Sequence, residues 1–210
     1  MRFLTTTLVV SLLAFSLSAY SRENTIFGGV YYFDTEAQSS SETEEGSDVE
    51  ITFTTGSRAG FRFYFQSFEE EGFFVGAGLQ SAEGDYNACI LQDCVRVNQT
   101  VRDTNLELGW SLRNWTPFVD LTWTDTDADD SDESDADSDV DFGIGFWYKP
   151  SPETKLKINI NGLRENGSQI LTAGFQRKLE NRITIGGAFM YPFSQDISGT
   201  GFRFTVGWTL

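Results

Sequence analysis

The chain has 210 residues, 40% hydrophobic and 15% aromatic, with 19 Phe, 2 Cys and no His. Its formal charge of −16 argues against a nucleic-acid partner, because phosphate contacts need clustered Lys and Arg. The length suits one domain, and beyond the N-terminus no window approaches the ~18 consecutive apolar residues of a membrane-crossing helix.

The N-terminus reads as a secretory signal over residues 1–21. Arg2 supplies a basic start, Leu8 to Leu17 an apolar run too short to span, and Ala19-Tyr20-Ser21 a small-residue boundary. Cleavage after Ser21 leaves a mature domain over 22–210, with cleavage after Ala19 as the alternative.

In chain order, residues 25–34 form a first strand whose two parities are both apolar, so its faces stay unassigned. Thr35 to Asp48 is an acidic loop that could not enter a core. From 49 to 68 the apolar residues hold the odd positions, which predicts one long strand without a hairpin at Thr55-Gly56. Glu69 to Gly72 turns the chain into a strand over 73–81, and 82–102 reads as a long polar segment carrying both cysteines. Further strands are expected over 104–113, 117–124, 139–149, 154–163, 169–178, 182–192 and 200–210. An Asp-rich tract, Thr124 to Asp139, separates two of them; short turns separate others, at Arg113-Asn114, Lys149 to Glu153 and Glu165 to Ser168.

The last strand shows the pattern at its clearest. Phe202, Phe204, Val206, Trp208 and Leu210 share one parity, and Gly201, Arg203, Thr205, Gly207 and Thr209 the other. A chain ending this way resembles the small outer-membrane β-barrel proteins of Gram-negative bacteria. The likeness covers the mature chain but rests on pattern; Leu210 stands where that family usually places Phe. It implies an all-β fold: a single closed antiparallel transmembrane barrel of ten strands, with eight or twelve as the neighbouring even counts. It also implies Sec-type export, residence in the bacterial outer membrane, and a final strand read by the barrel assembly machinery. Long acidic connections alternate with short ones, which puts the acidic loops outside and the short turns in the periplasm.

A soluble barrel would turn the apolar face inward and leave the charges of the second face, Arg62, Glu107, Asp120, Asp141, Lys155, Lys157 and Arg203, to be buried at a cost or exposed beside aromatics. In a membrane that face turns to the lumen, where Arg62, Glu107, Asp120, Asp141 and Arg203 become a charge network, while Phe63, Phe65, Phe142, Ile144, Phe204 and Val206 face lipid. Lys149, Lys155 and Lys157 are expected near the periplasmic rim together with Arg113.

The Asp tract offers hard oxygen ligands at Asp125, Asp127, Asp129, Asp130 and Asp132. A calcium hand would need Gly at its sixth position and Glu at its twelfth, which are Asp130 and Ala136, so the motif fails. The tract reads instead as a self-repelling solvated loop that draws Ca²⁺ or Mg²⁺ without a dedicated site. Cys89 and Cys94 are expected to pair as a local disulfide in an oxidising compartment. Without His, neither a Ser-His-Asp nor a His-Asp arrangement is possible, and no cofactor motif is present. The expected role is non-enzymatic and structural or surface-interacting, by a monomer among outer-membrane lipid and lipopolysaccharide. A narrow solute channel is the alternative, and a barrel enzyme is disfavoured.

Overall fold

The computed structural model describes residues 22–37, 51–90, 93–128, 137–164, 169–193 and 197–210. The signal-sequence reading of 1–21 lies outside them, as does most of the acidic loop expected over 35–48, whose first residues, Thr35 to Ala37, continue the first strand. Ten antiparallel strands form the wall: β1 (Glu23–Ala37), β2 (Ile51–Phe68), β3 (Glu71–Ile90), β4 (Asp93–Leu112), β5 (Trp115–Ala128), β6 (Asp137–Ser151), β7 (Thr154–Asn161), β8 (Ile170–Lys178), β9 (Ile183–Pro192) and β10 (Ile197–Thr209). Each pairs with its sequence neighbours, and β1 pairs with β10, so the sheet closes into a barrel. Closure leaves no sheet edge within the hydrocarbon, where an unpaired backbone group would be costly.

The stagger follows from the pairing. Starting at Glu23, the register passes through Phe68, Phe74, Gly109, Phe118, Gly145, Asn159, Thr172, Met190 and Gly201. It returns to β1 at Phe33, ten residues above its start. A non-zero stagger of this kind is what tilts the strands of a closed sheet.

Alternation fixes the two faces. Phe63, Phe142, Ile144, Phe204 and Val206 are all exposed on the outside. Phe65 shares their face through its pairing with Ile26 and Ala77, yet it is only 7% exposed. The first strand, ambiguous in sequence, resolves because Ile26, Val30 and Tyr32 are exposed outward while Thr25, Phe27 and Phe33 are buried inward. Those inward aromatics are why both of its parities looked apolar. Trp110, Trp115 and Trp208 remain exposed on the outer wall, and Trp115 packs against Tyr148 at 4.5 Å, consistent with an aromatic girdle.

Two segments depart from the sequence reading. Residues 82–102, expected as a polar loop, continue β3 and β4 as a paired extension of the wall, flanked by β2 and β5, with only positions 91–92 between the strands. Polar residues with strand partners form a ladder as readily as apolar ones; Arg102 and Asp127 bridge the next pair at 2.7 Å, and Arg96 bridges to Asp85. The second is Gly56. β2 is one strand, as expected, but its register to β3 shifts between Thr55 and Arg58, where an extra residue makes a bulge.

Candidate functional site in the barrel lumen

The lumen is built in layers from the end carrying the short turns. Phe68, Phe74, Phe118 and Trp147, each at most 4% exposed, form a floor. Phe68 stacks on Phe74 at 4.5 Å and meets Trp147 edge-on at 5.8 Å, and Phe74 packs against Phe118 at 5.9 Å. From below, the Lys149 and Lys155 ammonium groups lie 4.4 and 4.7 Å from the Phe68 ring, and Lys155 bonds Glu23 at 2.8 Å. A vestibule of about 410 Å³, lined by Glu69, Arg113 and Lys149 among others, opens beneath the floor.

Above the floor sits a buried polar layer centred on Glu107. Lys157 Nζ donates to Glu107 Oε1 at 2.7 Å, the Tyr64 hydroxyl to Oε2 at 2.9 Å, and Asn105 Nδ2 to Oε1 at 3.4 Å. Arg62 donates to Asn105 Oδ1 at 3.1 Å and lies 4.8 Å from the Tyr64 ring centroid. Gln66 and Gln176 exchange hydrogen bonds at 2.8 and 3.1 Å and so tie β2 to β8. The glycines of β3 make room for these crossings: a Cβ at Gly76 would run into the Tyr64 hydroxyl, and one at Gly78 into Asn105 and the Arg62 guanidinium.

Higher still, a cavity of about 360 Å³ widens toward the end carrying the long connections. Its charges are sorted by wall. Arg58 and Arg62 on β2 and Arg203 on β10 flank β1, whereas Asp103, Asp120, Asp139 and Asp141 lie on β4, β5 and β6; Glu107 on β4 and Lys157 on β7 also line it, but are paired to each other. Asn161 donates to Asp120 Oδ2 at 3.2 Å, and Gln80 and Thr124 donate to Asp103 at 3.0 and 2.9 Å.

All five residues expected in the charge network thus line one continuous interior: Arg62, Glu107, Asp120, Asp141 and Arg203. Asp141 lines the same cavity but sits near its mouth, where it accepts from the Arg164 backbone N–H at 3.1 Å. Lys157 is on the inward face as expected, but not at the rim: it is buried above the floor as the partner of Glu107. Its Gly174 and Trp147 register neighbours place it a full turn of the pleat deeper than Lys155. The aromatic floor was also missed, although Phe74, Phe118 and Trp147 carried a signal by standing on the polar parity of their strands.

Of the acidic tract, Asp125 and Asp127 fall on β5, and Asp127 is ion-paired to Arg102. Asp129, Asp130 and Asp132 lie outside the described residues. Among the described residues, no three His, Cys, Asp or Glu side chains converge as metal ligands. The Cys89 and Cys94 side chains also lie outside the description, but their backbones are direct cross-strand partners. Glu107 and Asp120 are cross-strand partners too, a carboxylate pair with donors from Lys157, Tyr64 and Asn105 on one and Asn161 on the other. Glu107, held by three donors, is built as a fixed acceptor rather than as a proton-exchanging group.

A closed ten-strand wall, lipid-facing aromatics and a polar interior are joined by a family-model match over residues 7–209. The chain belongs to the outer membrane protein beta-barrel domain family. Membership puts it in the bacterial outer membrane. No curated protein matches the chain. Among solved structures it is similar to Ail, the attachment invasion locus protein of Yersinia pestis, with 10% identity and a TM-score of 0.43 over 90% of this chain and 98% of that one. The β domain of the Bordetella autotransporter BrkA has 10% identity and a TM-score of 0.49, covering 90% of this chain and all of that one. The translocator domain of NalP from Neisseria meningitidis has 10% identity and a TM-score of 0.44, covering 100% of this chain and 96% of that one. At such identities and scores these likenesses say nothing about activity.

Proposed function

We infer that the chain is a non-enzymatic outer-membrane barrel with a closed lumen, whose role lies in surface interaction through its external face. The observation that carries this reading is the floor. Four packed aromatic rings cross the lumen, and the buried Glu107–Lys157 pair lies directly above them. A ten-strand barrel is also nearer in width to the filled eight-strand size than to the open porins of ~16 strands. The missing His and the fixed Glu107 support the non-enzymatic part.

The same reading has the chain exported by a Sec-type route, its leader removed, and its folding assisted by the barrel assembly machinery. It then acts as a monomer among outer-membrane lipid and lipopolysaccharide. Its acidic exterior associates with lipopolysaccharide through diffuse Ca²⁺ or Mg²⁺, with no resident cofactor. Planar-bilayer recording of the purified protein tests the closed lumen. The expected trace is silent, and stable unitary current steps would replace this reading with the narrow channel.

A further inference from the structure

We propose that the external cavity of the lumen is a binding site for a small zwitterion, of the class of free amino acids and short peptides. Its carboxylate would lie against Arg62 and Arg203, and its ammonium group against Asp120. The argument begins with charges that do not meet. Arg58, Arg62 and Arg203 line the cavity, and among the described residues none is ion-paired to a carboxylate. Arg58 donates to Gln99, Arg62 to Asn105, and Arg203 only to the sulfur of Met190 at 3.5 Å. A guanidinium withdrawn from water ordinarily sits in a carboxylate fork, and the buried Arg62 and half-buried Arg58 and Arg203 do not.

The opposite wall repeats the situation with the sign reversed. Asp120 and Asn159 are each 3% exposed, and the Oδ1 atom of each is buried without a partner. On the basic wall, Arg203 Nε is likewise buried and unpartnered. Such groups are rare in folded proteins, and each represents an unmade hydrogen bond. Here one donor, Arg203 Nε, and three acceptors, the Oδ1 atoms of Asp120 and Asn159 and the Oε1 of Gln80, are left over on residues that line one cavity of about 360 Å³. That volume is at the small end of the ~300–1,000 Å³ of ligand pockets.

The segregation selects the ligand. A plain anion would be met by Asp120 and Asp103, and a plain cation by Arg62 and Arg203. A molecule with both charges at opposite ends satisfies both walls and leaves neither facing a like charge. Access is from the outer end, where the Asp139 side chain at the rim is 51% exposed. The aromatic floor closes the other end. In this respect the inference rests on the closed-lumen reading, but the binding chemistry stands on the walls alone.

The test is calorimetric titration of the folded protein in detergent with L-alanyl-L-alanine, N-acetyl-L-alanyl-L-alanine and L-alanyl-L-alaninamide. Each charge-assisted hydrogen-bond set is worth a factor of about ten or more, so dialanine is expected to bind at least tenfold tighter than either blocked analogue. Asp120→Asn is expected to weaken dialanine about tenfold while leaving the N-acetyl compound unaffected, and Arg203→Gln to weaken dialanine about tenfold while leaving the amide unaffected. Equal binding of all three compounds overturns the proposal, as does the absence of dialanine binding. If a variant does not fold, judged by heat-dependent mobility in gels, the analogue comparison on the unaltered protein still decides. Bilayer recording of the same preparation keeps the two readings apart. A conducting barrel that prefers dialanine loses the closed lumen and keeps the site; a silent barrel without that preference does the opposite.

Discussion

Replacing Lys157 with Met removes one charge from the most enclosed ion pair of the barrel. Glu107 is fully buried and the Lys157 side chain is 10% exposed, so the carboxylate left behind cannot reach bulk water. Breaking a buried pair from one side costs about 3–5 kcal/mol, because the remaining charge is uncompensated. Two features pull the cost toward the lower figure. Tyr64 and Asn105 still donate to Glu107, and a void of about 50 Å³ beside Lys157 has room for a water. Loss of the ammonium group 5.0 Å from the Phe118 ring and 5.3 Å from that of Trp147 adds to it. The expected loss is therefore about 3 kcal/mol. The double variant Lys157→Met with Glu107→Leu removes both charges and is expected to recover most of it, since well-packed apolar pairs often replace buried ion pairs at little cost. Guanidinium unfolding in lipid vesicles, followed by tryptophan fluorescence, measures both. A single variant within about 1 kcal/mol of the parent, or a double variant no better than the single, would refute the account of Glu107 as a buried charge dependent on Lys157.

Phe142→Arg, on the lipid-facing surface, is expected to destabilise the folded barrel by about 2–4 kcal/mol in the same unfolding assay. Thr205→Asp on the lumen face is expected to cost less; equal losses would mean the two faces are assigned wrongly. Thiol labelling of denatured, unreduced protein is expected to find neither Cys89 nor Cys94 free, because their register as direct partners suits a cross-strand disulfide. Proteinase added to intact cells is expected to cut between Ala128 and Asp137 and to spare the turn between Ser151 and Thr154. Cleavage at that turn alone would invert the topology.

The wall was legible in the sequence because alternation has a period of two and a wrong register would put every aromatic inside. Ten strands and the inward and outward parities from Ser57 to Phe63 followed from that one signal. The extension of β3 and β4 did not, since Asp85, Asn98 and Gln99 carry no apolar alternation and only their partners across the ladder reveal a strand. The site was half legible. Charges on the inward parity identified Arg62, Glu107, Asp120 and Arg203, but alternation gives a face and not a height. Lys157 and Lys155 look alike in sequence, and only the stagger of the strands places one beside Glu107 and the other beside Glu23. The floor was hidden for a related reason: an aromatic on the polar parity reads as noise until four of them meet.

The wall is not equally tall all round. β3 and β4 run for 20 residues each, whereas β7 and β8 have 8 and 9. At ~3.3 Å per residue and a tilt of ~40°, β7 rises only about 20 Å along the bilayer normal, against an apolar band of ~25 Å in barrels of this kind. Its lipid-facing stretch is accordingly short, from Leu156 through Ile158 to Ile160. A bilayer meets such a flank by thinning, at fractions of a kcal/mol per Å. The compressed lipid would form a crescent beside β7 and β8 rather than a ring. The molecule therefore has a preferred azimuth in the membrane plane: another thin-walled protein would save lipid strain by standing against that flank, and a tall one would not.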